Sequence, residues 1–323
     1  MIIPLITLVI PTKNEECNLP RLFLSLKALD YPKNRFEVII VDGYSTDKTV
    51  EIAKKYGAKV LNNPKKIRGA GCQIGIDQAK GKLVAFTDAD CVVPKNWLGG
   101  LAKYLEKDNK IAAVGGPNVT PKDDTFFSKT AGDVLWLLTR AGARYGFKSN
   151  KEIETYHNPG CNVLYKKEAL DKAGGFNLGL LTCEDEELDF RLLKKGYRLL
   201  FAPEVSVDHY RRPTYKKLLI QSFRYASGRM QAIKLHKGMA RWFHFVPSLI
   251  WITIGFALIS LFNIDLRYFG IAYLLAMFDS FLAVSILLSI IFKNSPFYVY
   301  LLILFCWFGG WGTGFIYGLR RTN

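Results

Sequence analysis

The sequence predicts an α/β domain with a mostly parallel, doubly wound sheet, followed by C-terminal transmembrane helices. Three observations carry the prediction. Short apolar runs alternate with helical patterns through the first part of the chain, as repeated βαβ units require. One run, Val84-Ala-Phe86, stops at two carboxylates with one residue between them, Asp88 and Asp90. From about Trp242 to Gly318 the chain is almost free of charge.

Taken in order, Leu5–Ile10 reads as a strand and Leu19–Leu29 as a helix with Leu22, Leu26 and Leu29 on one face. Phe36–Val41 is a strand, Thr46–Tyr56 a helix capped by Ser45 or Thr46 with Asp47 serving its N-terminus, Ala58–Leu61 a short strand and Ala70–Ala79 a helix. The strand into Asp88 follows, then a helix opened by Pro94. The apolar stretch Met1–Ile10 lacks a basic n-region and a small-residue cleavage site, so it is expected to be the first strand and not a signal peptide.

The chain has 323 residues, 50% of them hydrophobic, and a formal charge of +16, more than one average α/β domain accounts for. Three apolar spans, about Phe243–Phe262, Tyr268–Phe292 and Phe297–Leu319, meet the ~20 residues needed to cross a bilayer and show no polar stripe. Asp279, in the second span, is expected to face a neighbouring helix. Gly309, Gly310, Gly312 and Gly314 allow close packing of the third. Six scattered cysteines without a CxxC pair argue against a zinc or disulfide framework and, with no export signal, for a cytoplasmic domain. From Val205 to Arg241 there are nine Lys or Arg against the single acid Asp208, with Leu218, Leu219, Phe223, Ala226, Met230 and Ile233 at roughly helical spacing. This basic amphipathic segment is expected to lie in the membrane interface, held by its apolar face and by anionic lipid. Its position beside a span favours membrane lipid over nucleic acid. The division expected is therefore residues 1–210, a soluble domain; 211–241, the interface segment; and 242–323, three transmembrane helices.

In doubly wound sheets ligands gather at the carboxyl ends of the strands. Asp88 and Asp90, pointing the same way there, can hold a hard divalent cation, the alternative being a solvated turn. Asp42, directly after Val-Ile-Ile-Val41, is placed to accept hydrogen bonds from a base or ribose, the alternative again being a turn. Arg68-Gly-Ala-Gly71 offers a guanidinium and helix N–H groups to phosphate oxygens. Glycines 69, 71 and 75 have the wrong spacing for a dinucleotide fingerprint, which disfavours a Rossmann dehydrogenase.

The ordered set Pro11-Thr-Lys-Asn-Glu15, Val41-Asp-Gly-Tyr-Ser-Thr-Asp47, Arg68-Gly-Ala-Gly71 and Asp88-Ala-Asp90 resembles the nucleotide-sugar domain of family 2 glycosyltransferases, with the GT-A fold. The layout is similar to membrane-anchored enzymes of exopolysaccharide assembly. The resemblance implies a nucleoside-diphosphate sugar donor, a Mg2+ or Mn2+ ion on Asp88 and Asp90, and inversion at the anomeric carbon. It implies donor contacts from Pro11, Thr12, Asn14, Glu15, Asp42, Arg68 and Asp88. His209 stands where many such enzymes complete the metal shell with histidine; the alternative is a hydrogen-bonded surface histidine.

An inverting displacement needs a base opposite the leaving group. Glu184-Asp-Glu-Glu-Leu-Asp-Phe-Arg191 opens a helix marked by Leu188 and Leu192. Read alone, it is equally a capping box with Thr182 as N-cap and Asp185 three positions on. The segment resembles the family's acceptor-side Glu-Asp motif, which implies Glu184 beside the acceptor and Asp185 as base. Asn158, Gly160 and Asn162 resemble the acceptor-side loop, with His157 an ordinary loop histidine. Gln221, Arg224 and Tyr225 resemble a Gln-x-x-Arg-Trp motif of membrane polysaccharide synthases, with Tyr for Trp. The expected function is transfer of one sugar to a lipid-linked acceptor at the cytoplasmic membrane face. A processive polysaccharide synthase and a silent nucleotide-binding membrane scaffold are the alternatives.

Overall fold

The structure, a computed structural model, describes residues 3–139 and 153–320; Met1 and Ile2 of the apolar N-terminal run lie outside it. The elements are β1 (Ile6–Thr12), α1 (Leu19–Lys27), β2 (Phe36–Asp42), α2 (Thr49–Lys55), β3 (Lys59–Asn62), α3 (Arg68–Asp77), β4 (Leu83–Phe86), β5 (Cys91–Val92) and α4 (Trp97–Leu105). Then come β6 (Ile111–Gly115), β7 (Asn118–Val119), α5 (Phe126–Thr139), β8 (Ile153–Glu154), β9 (Val163–Lys166), α6 (Lys167–Ala173), α7 (Glu184–Lys194), β10 (Arg198–Phe201) and β11 (Val207–His209). Four long helices follow: α8 (Tyr215–Leu235), α9 (Trp242–Ser260), α10 (Arg267–Phe292) and α11 (Phe297–Arg320).

Contacts divide the chain into two units, Met1–Pro121 with Thr139–Tyr210, and Lys122–Leu138 with Arg211–Asn323. The first holds a sheet in the order β3-β2-β1-β4-β9-β6-β10-β8 and a smaller one, β5-β11-β7. Strands β3, β2, β1 and β4 run parallel, whereas β9 is antiparallel to both β4 and β6. Alternation along β1 builds the two layers of the core. Leu8 and Ile10 enter one apolar cluster with Leu22, Leu26, Trp97 and Leu101, while Val9 enters the other with Phe86, Ile76, Leu188 and Leu192. Each such side chain contributes about 2 kcal/mol on full burial.

Strand β1 continues two residues past the predicted end, so Pro11 and Thr12 belong to it, with Thr12 opposite Asp42. Proline is tolerated there because the ladder to β4 has ended opposite Val9. Helix α3 lies close over β1: a Cβ on Gly75 would stand 2.1 Å from Val9 Cγ1. That approach fixes Arg68, the first residue of α3, near the sheet's carboxyl rim. Neither Ser45 nor Thr46 caps α2, which begins at Thr49; the Asp47 carboxylate accepts the Thr49 N–H at 3.0 Å instead. Helix α4 likewise begins at Trp97, whose N–H donates to the carbonyl of Pro94.

In the second unit, α9, α10 and α11 are each long and apolar enough to cross a membrane. Helix α5, lying inside the expected soluble stretch, belongs with them. Asp133 of α5 accepts from Tyr300 Oη at 2.6 Å and Asn294 Nδ2 at 2.9 Å, and Thr130 bonds Ser295. Part of the apolar face of α8, expected to meet lipid, packs on protein, while Leu219 is exposed. Leu218, Ala226 and Met230 are buried, Ser222 Oγ donates to the Trp307 carbonyl at 2.6 Å, and a Cβ on Gly314 would stand 2.2 Å from the Phe223 carbonyl. Thus the glycines of α11 seat α8 on one face, while Gly312 lies against Trp251 of α9. Among the described residues, Asp279 does not face a neighbouring helix. It is exposed on α10, whose buried side carries Phe281, Ser285 and Leu288.

Candidate active site

Parallel pairing of β1, β2 and β4 brings their ends to one rim, and three turns leave it. The first two are tied together. Asn14 donates its N–H to Ser45 Oγ at 2.8 Å and accepts from the Thr46 N–H at 2.8 Å. Glu15 donates to Thr49 Oγ1 at 2.7 Å, and its carboxylate accepts from Asn18 at 2.6 Å. Asp42 is buried, and its carboxylate accepts from the Ser45 N–H at 3.0 Å and Ser45 Oγ at 2.6 Å. The turn role considered for Asp42 is therefore present in the structure. Asn14, Tyr44, Lys66 and Cys183 all have left-handed φ between 55° and 67°, a strain of about 1–2 kcal/mol each that clusters at sites where geometry is fixed for function.

Asp88 and Asp90 follow β4, and β11 lays His209 opposite Cys91. His209 Nε2 stands 3.3 Å from Asp90 Oδ1. The donor atoms of Asp88, Asp90 and His209 lie within 4.8 Å of one another. Two carboxylate oxygens and an imidazole nitrogen suit Mg2+ or Mn2+, with positions left for substrate oxygens. Burial pushes the Asp88 carboxyl above its usual range, and Arg68 pulls it back.

Arg68 connects this set to the far side. Its Nε donates to Asp88 Oδ1 at 3.0 Å, Nη1 to Glu184 Oε1 at 3.1 Å and Nη2 to the Gly160 carbonyl at 2.8 Å. Gly160 in turn donates its N–H to Asp185 Oδ2 at 3.1 Å. A Cβ on Gly160 would stand 2.6 Å from that oxygen and 3.0 Å from the guanidinium, so no side chain fits. Glu184 is buried against Gly69; burial, then repulsion from Asp185, pushes its carboxyl up to about 7 against the pull of Arg68.

The capping-box reading does not hold. The N-cap of α7 is Cys183, whose side chain makes no cap bond, and Asp185 is the second residue of the helix. Its Oδ1 accepts from the adjacent Glu186 N–H at 2.9 Å, leaving the half-buried carboxylate turned to the Gly160 turn.

Two acceptor-side expectations are corrected. Asn162 is fully buried, donating to the carbonyls of Pro117 at 2.9 Å and Val205 at 2.7 Å and accepting from Trp97 Nε1 at 2.8 Å. It holds the core together and has no face for an acceptor. Asn158 is also fully buried, with neither side-chain polar atom partnered among the described residues and the side chain pressed on Gly115. Gln221, Arg224 and Tyr225 lie on α8 in the second unit, where Gln221 Nε2 donates to Tyr225 Oη at 3.1 Å.

Two residues escaped the sequence reading. His157 is no ordinary loop histidine: its Nδ1 lies 2.9 Å from Asp189 Oδ2, and its side chain is 11% exposed. Burial opposes the charged ring, but Asp185, the bond to Asp189 and Glu186 outweigh it and raise His157 to about 9. Asp189, wholly buried, also accepts from the Asn158 N–H at 2.9 Å and Tyr165 Oη at 2.7 Å. Asp189 lies four residues after Asp185 on the face of α7 shared with Leu188 and Leu192, and that spacing was the available signal.

The sequence profile described as glycosyl transferase family 2 matches residues 7–174. Glycosyltransferase AglE of Haloferax volcanii is 26% identical over 268 residues, spanning 79% of this chain and 82% of its own. A dolichyl N-acetyl-alpha-D-glucosaminyl phosphate 3-beta-D-2,3-diacetamido-2,3-dideoxy-beta-D-glucuronosyltransferase of Methanococcus voltae is 25% identical over 339 residues, spanning 98% of both chains. Among solved structures, mannosyltransferase PcManGT from Pyrobaculum calidifontis, in complex with GDP-Man and Mn2+, shares the fold with a TM-score of 0.55 at 20% identity, over 72% of this chain and 64% of that one. The first unit therefore has the GT-A fold, and with more than half of its length matched by the profile, the chain belongs to glycosyl transferase family 2.

Proposed function

We propose that the protein is an inverting, metal-dependent glycosyltransferase that moves one sugar from a nucleoside-diphosphate sugar to a lipid-linked acceptor at the cytoplasmic face of a membrane. One observation carries the reading: Arg68 and Gly160 join the Asp88–Asp90–His209 set to Asp185 through three successive hydrogen bonds, with a fourth from Arg68 to the adjacent Glu184.

In this reading Asp88, Asp90 and His209 hold the Mg2+ or Mn2+, which stabilises negative charge on the departing diphosphate when bound. Pro11, Thr12, Asn14, Glu15 and Asp42 form the nucleotide side, held rigid by the bonds between the first two turns. Asp185 accepts the proton of the acceptor hydroxyl as its oxygen attacks the anomeric carbon from the face opposite the diphosphate. A single displacement of this kind inverts the centre. Gly160 and Arg68 set the position of that carboxylate, and a misplacement of about 1 Å would cost about 100-fold in rate.

Support for a lipid-linked acceptor comes from the three apolar helices in the same chain and from the Methanococcus voltae relative, named for action on a dolichyl phosphate sugar. The basic residues of the 211–241 segment fit anionic lipid. Membranes containing the protein, given a panel of labelled nucleotide sugars and then extracted for lipid, should yield a lipid carrying one added sugar. A ladder of products would replace this reading with a processive synthase. No product from any donor, with nucleotide still bound, would replace it with the silent scaffold.

A further inference from the structure

Two thiols lie beside the carboxylate set. Cys91 follows Asp90 directly and pairs across the antiparallel ladder with His209. Cys161 comes from the Gly160 turn; its Sγ is 3.7 Å from His209 Nδ1 and accepts an N–H from Asn118 Nδ2 at 3.2 Å. Both thiols are buried, and the ligand atoms of Cys91, Cys161 and His209 lie within 4.8 Å of one another. Buried cysteines ordinarily pack as small apolar groups. Here an amide N–H and an imidazole approach the sulfur as well. His209 presents Nε2 to Asp90 at 3.3 Å and Nδ1 to Cys161, one ring nitrogen to each set.

We propose that Cys91, Cys161 and His209 form a second cation site, for a thiophilic divalent cation such as Zn2+, and that filling it withdraws His209 from Asp88 and Asp90. Two sulfurs and one imidazole nitrogen are soft donors that select zinc over Mg2+ or Mn2+. The Asn118 N–H is an outer-shell bond that favours thiolate sulfur and holds Cys161 in place. On binding, each thiol gives up its proton to solvent, so two protons leave as two metal–sulfur bonds form, and His209 contributes the Nδ1 lone pair. The ring proton is then on Nε2, which can donate to Asp90 but cannot ligate a second ion. The site is therefore inhibitory, and a thiophilic cation acts without touching donor or acceptor. The competition clause rests on the hard-cation reading above, whereas the sulfur site does not.

The test uses metal-free full-length protein in detergent micelles with one equivalent of Zn2+. X-ray absorption at the zinc edge should show two sulfurs at about 2.3 Å and a nitrogen at about 2.0 Å. A shell of oxygen and nitrogen alone, or zinc left in solution, overturns the site. Cys161→Ala and Cys91→Ala should each weaken Zn2+ binding at least about tenfold, while Cys17→Ser, at an exposed thiol, should not; wild-type affinity in either alanine variant overturns it too. In the unmodified protein, Zn2+ should raise the Mn2+ dissociation constant read by electron paramagnetic resonance at least about tenfold. An unchanged constant overturns the competition. A two-sulfur zinc shell in a protein that binds no Mn2+ would instead remove the hard-cation reading and leave the sulfur site standing.

Discussion

The N–H of Gly160 donates to Asp185 Oδ2 over 3.1 Å, so the turn before β9 and the first turn of α7 are fixed to each other at the carboxylate assigned to proton removal. The carbonyl of the same glycine takes Arg68, which also holds Asp88. Gly160→Ala would thrust a methyl group to 2.6 Å from that oxygen. We expect kcat to fall about 100-fold, with the Km for donor changed less than about threefold, as steady-state kinetics on both substrates will show.

His157 makes the fold sensitive to alkali. Its folded value, about 9, lies above the ordinary 6.5, so its stabilising contacts are fully present below about pH 6.5 and are lost as pH rises through about 9. Thermal unfolding midpoints of the wild type should drop by a few degrees from about pH 7 to about pH 10. His157→Gln should start lower, because Asp189 stays buried without its charged partner, and should vary less across that window.

Glu184 works in the same sense over a more acidic window. With its folded value raised from 4.5 to about 7, the folded chain keeps a proton that the unfolded chain gives up between those values. Stability therefore falls as pH rises through that window. Glu184→Gln, which keeps an acceptor for Arg68 but does not titrate, should flatten the pH dependence of the unfolding midpoint between about pH 4.5 and 7.

Removing hard donors should act on the cation and not on the fold. Asp88→Ala, Asp90→Ala and His209→Ala should each raise the Mn2+ dissociation constant at least about tenfold by electron paramagnetic resonance. Far-ultraviolet circular dichroism should stay at the wild-type level. Wild-type Mn2+ affinity in Asp90→Ala would contradict the assignment of that carboxylate.

What could be read from the chain alone follows the range of each interaction. The rim was legible because apolar runs ending in polar turns are local patterns, and Asp42, Arg68 and Asp88 each stand at the end or start of such a run. Direction inside a turn was not. Gly160 and Asn162 are two residues apart, yet one touches Asp185 and the other is locked between Trp97, Pro117 and Val205. Helix α5 could not be assigned to the second unit because its polar partners Asn294, Ser295 and Tyr300 are distant in sequence. The same holds for His157, whose character is set by Asp189 and Asp185 on another element. In α8 the helical spacing identified the apolar face, but spacing does not distinguish lipid from the glycine-lined side of α11.

The account stands on Asp185 as the group that takes the acceptor's proton. Asp185→Asn keeps the size of the side chain and an oxygen able to accept the Gly160 N–H, and removes the basic carboxylate. Single-turnover transfer should slow about a thousandfold while the nucleotide-sugar dissociation constant in Mn2+ stays within about threefold of wild type. Transfer within tenfold of the wild-type rate, at unchanged donor affinity, would contradict it.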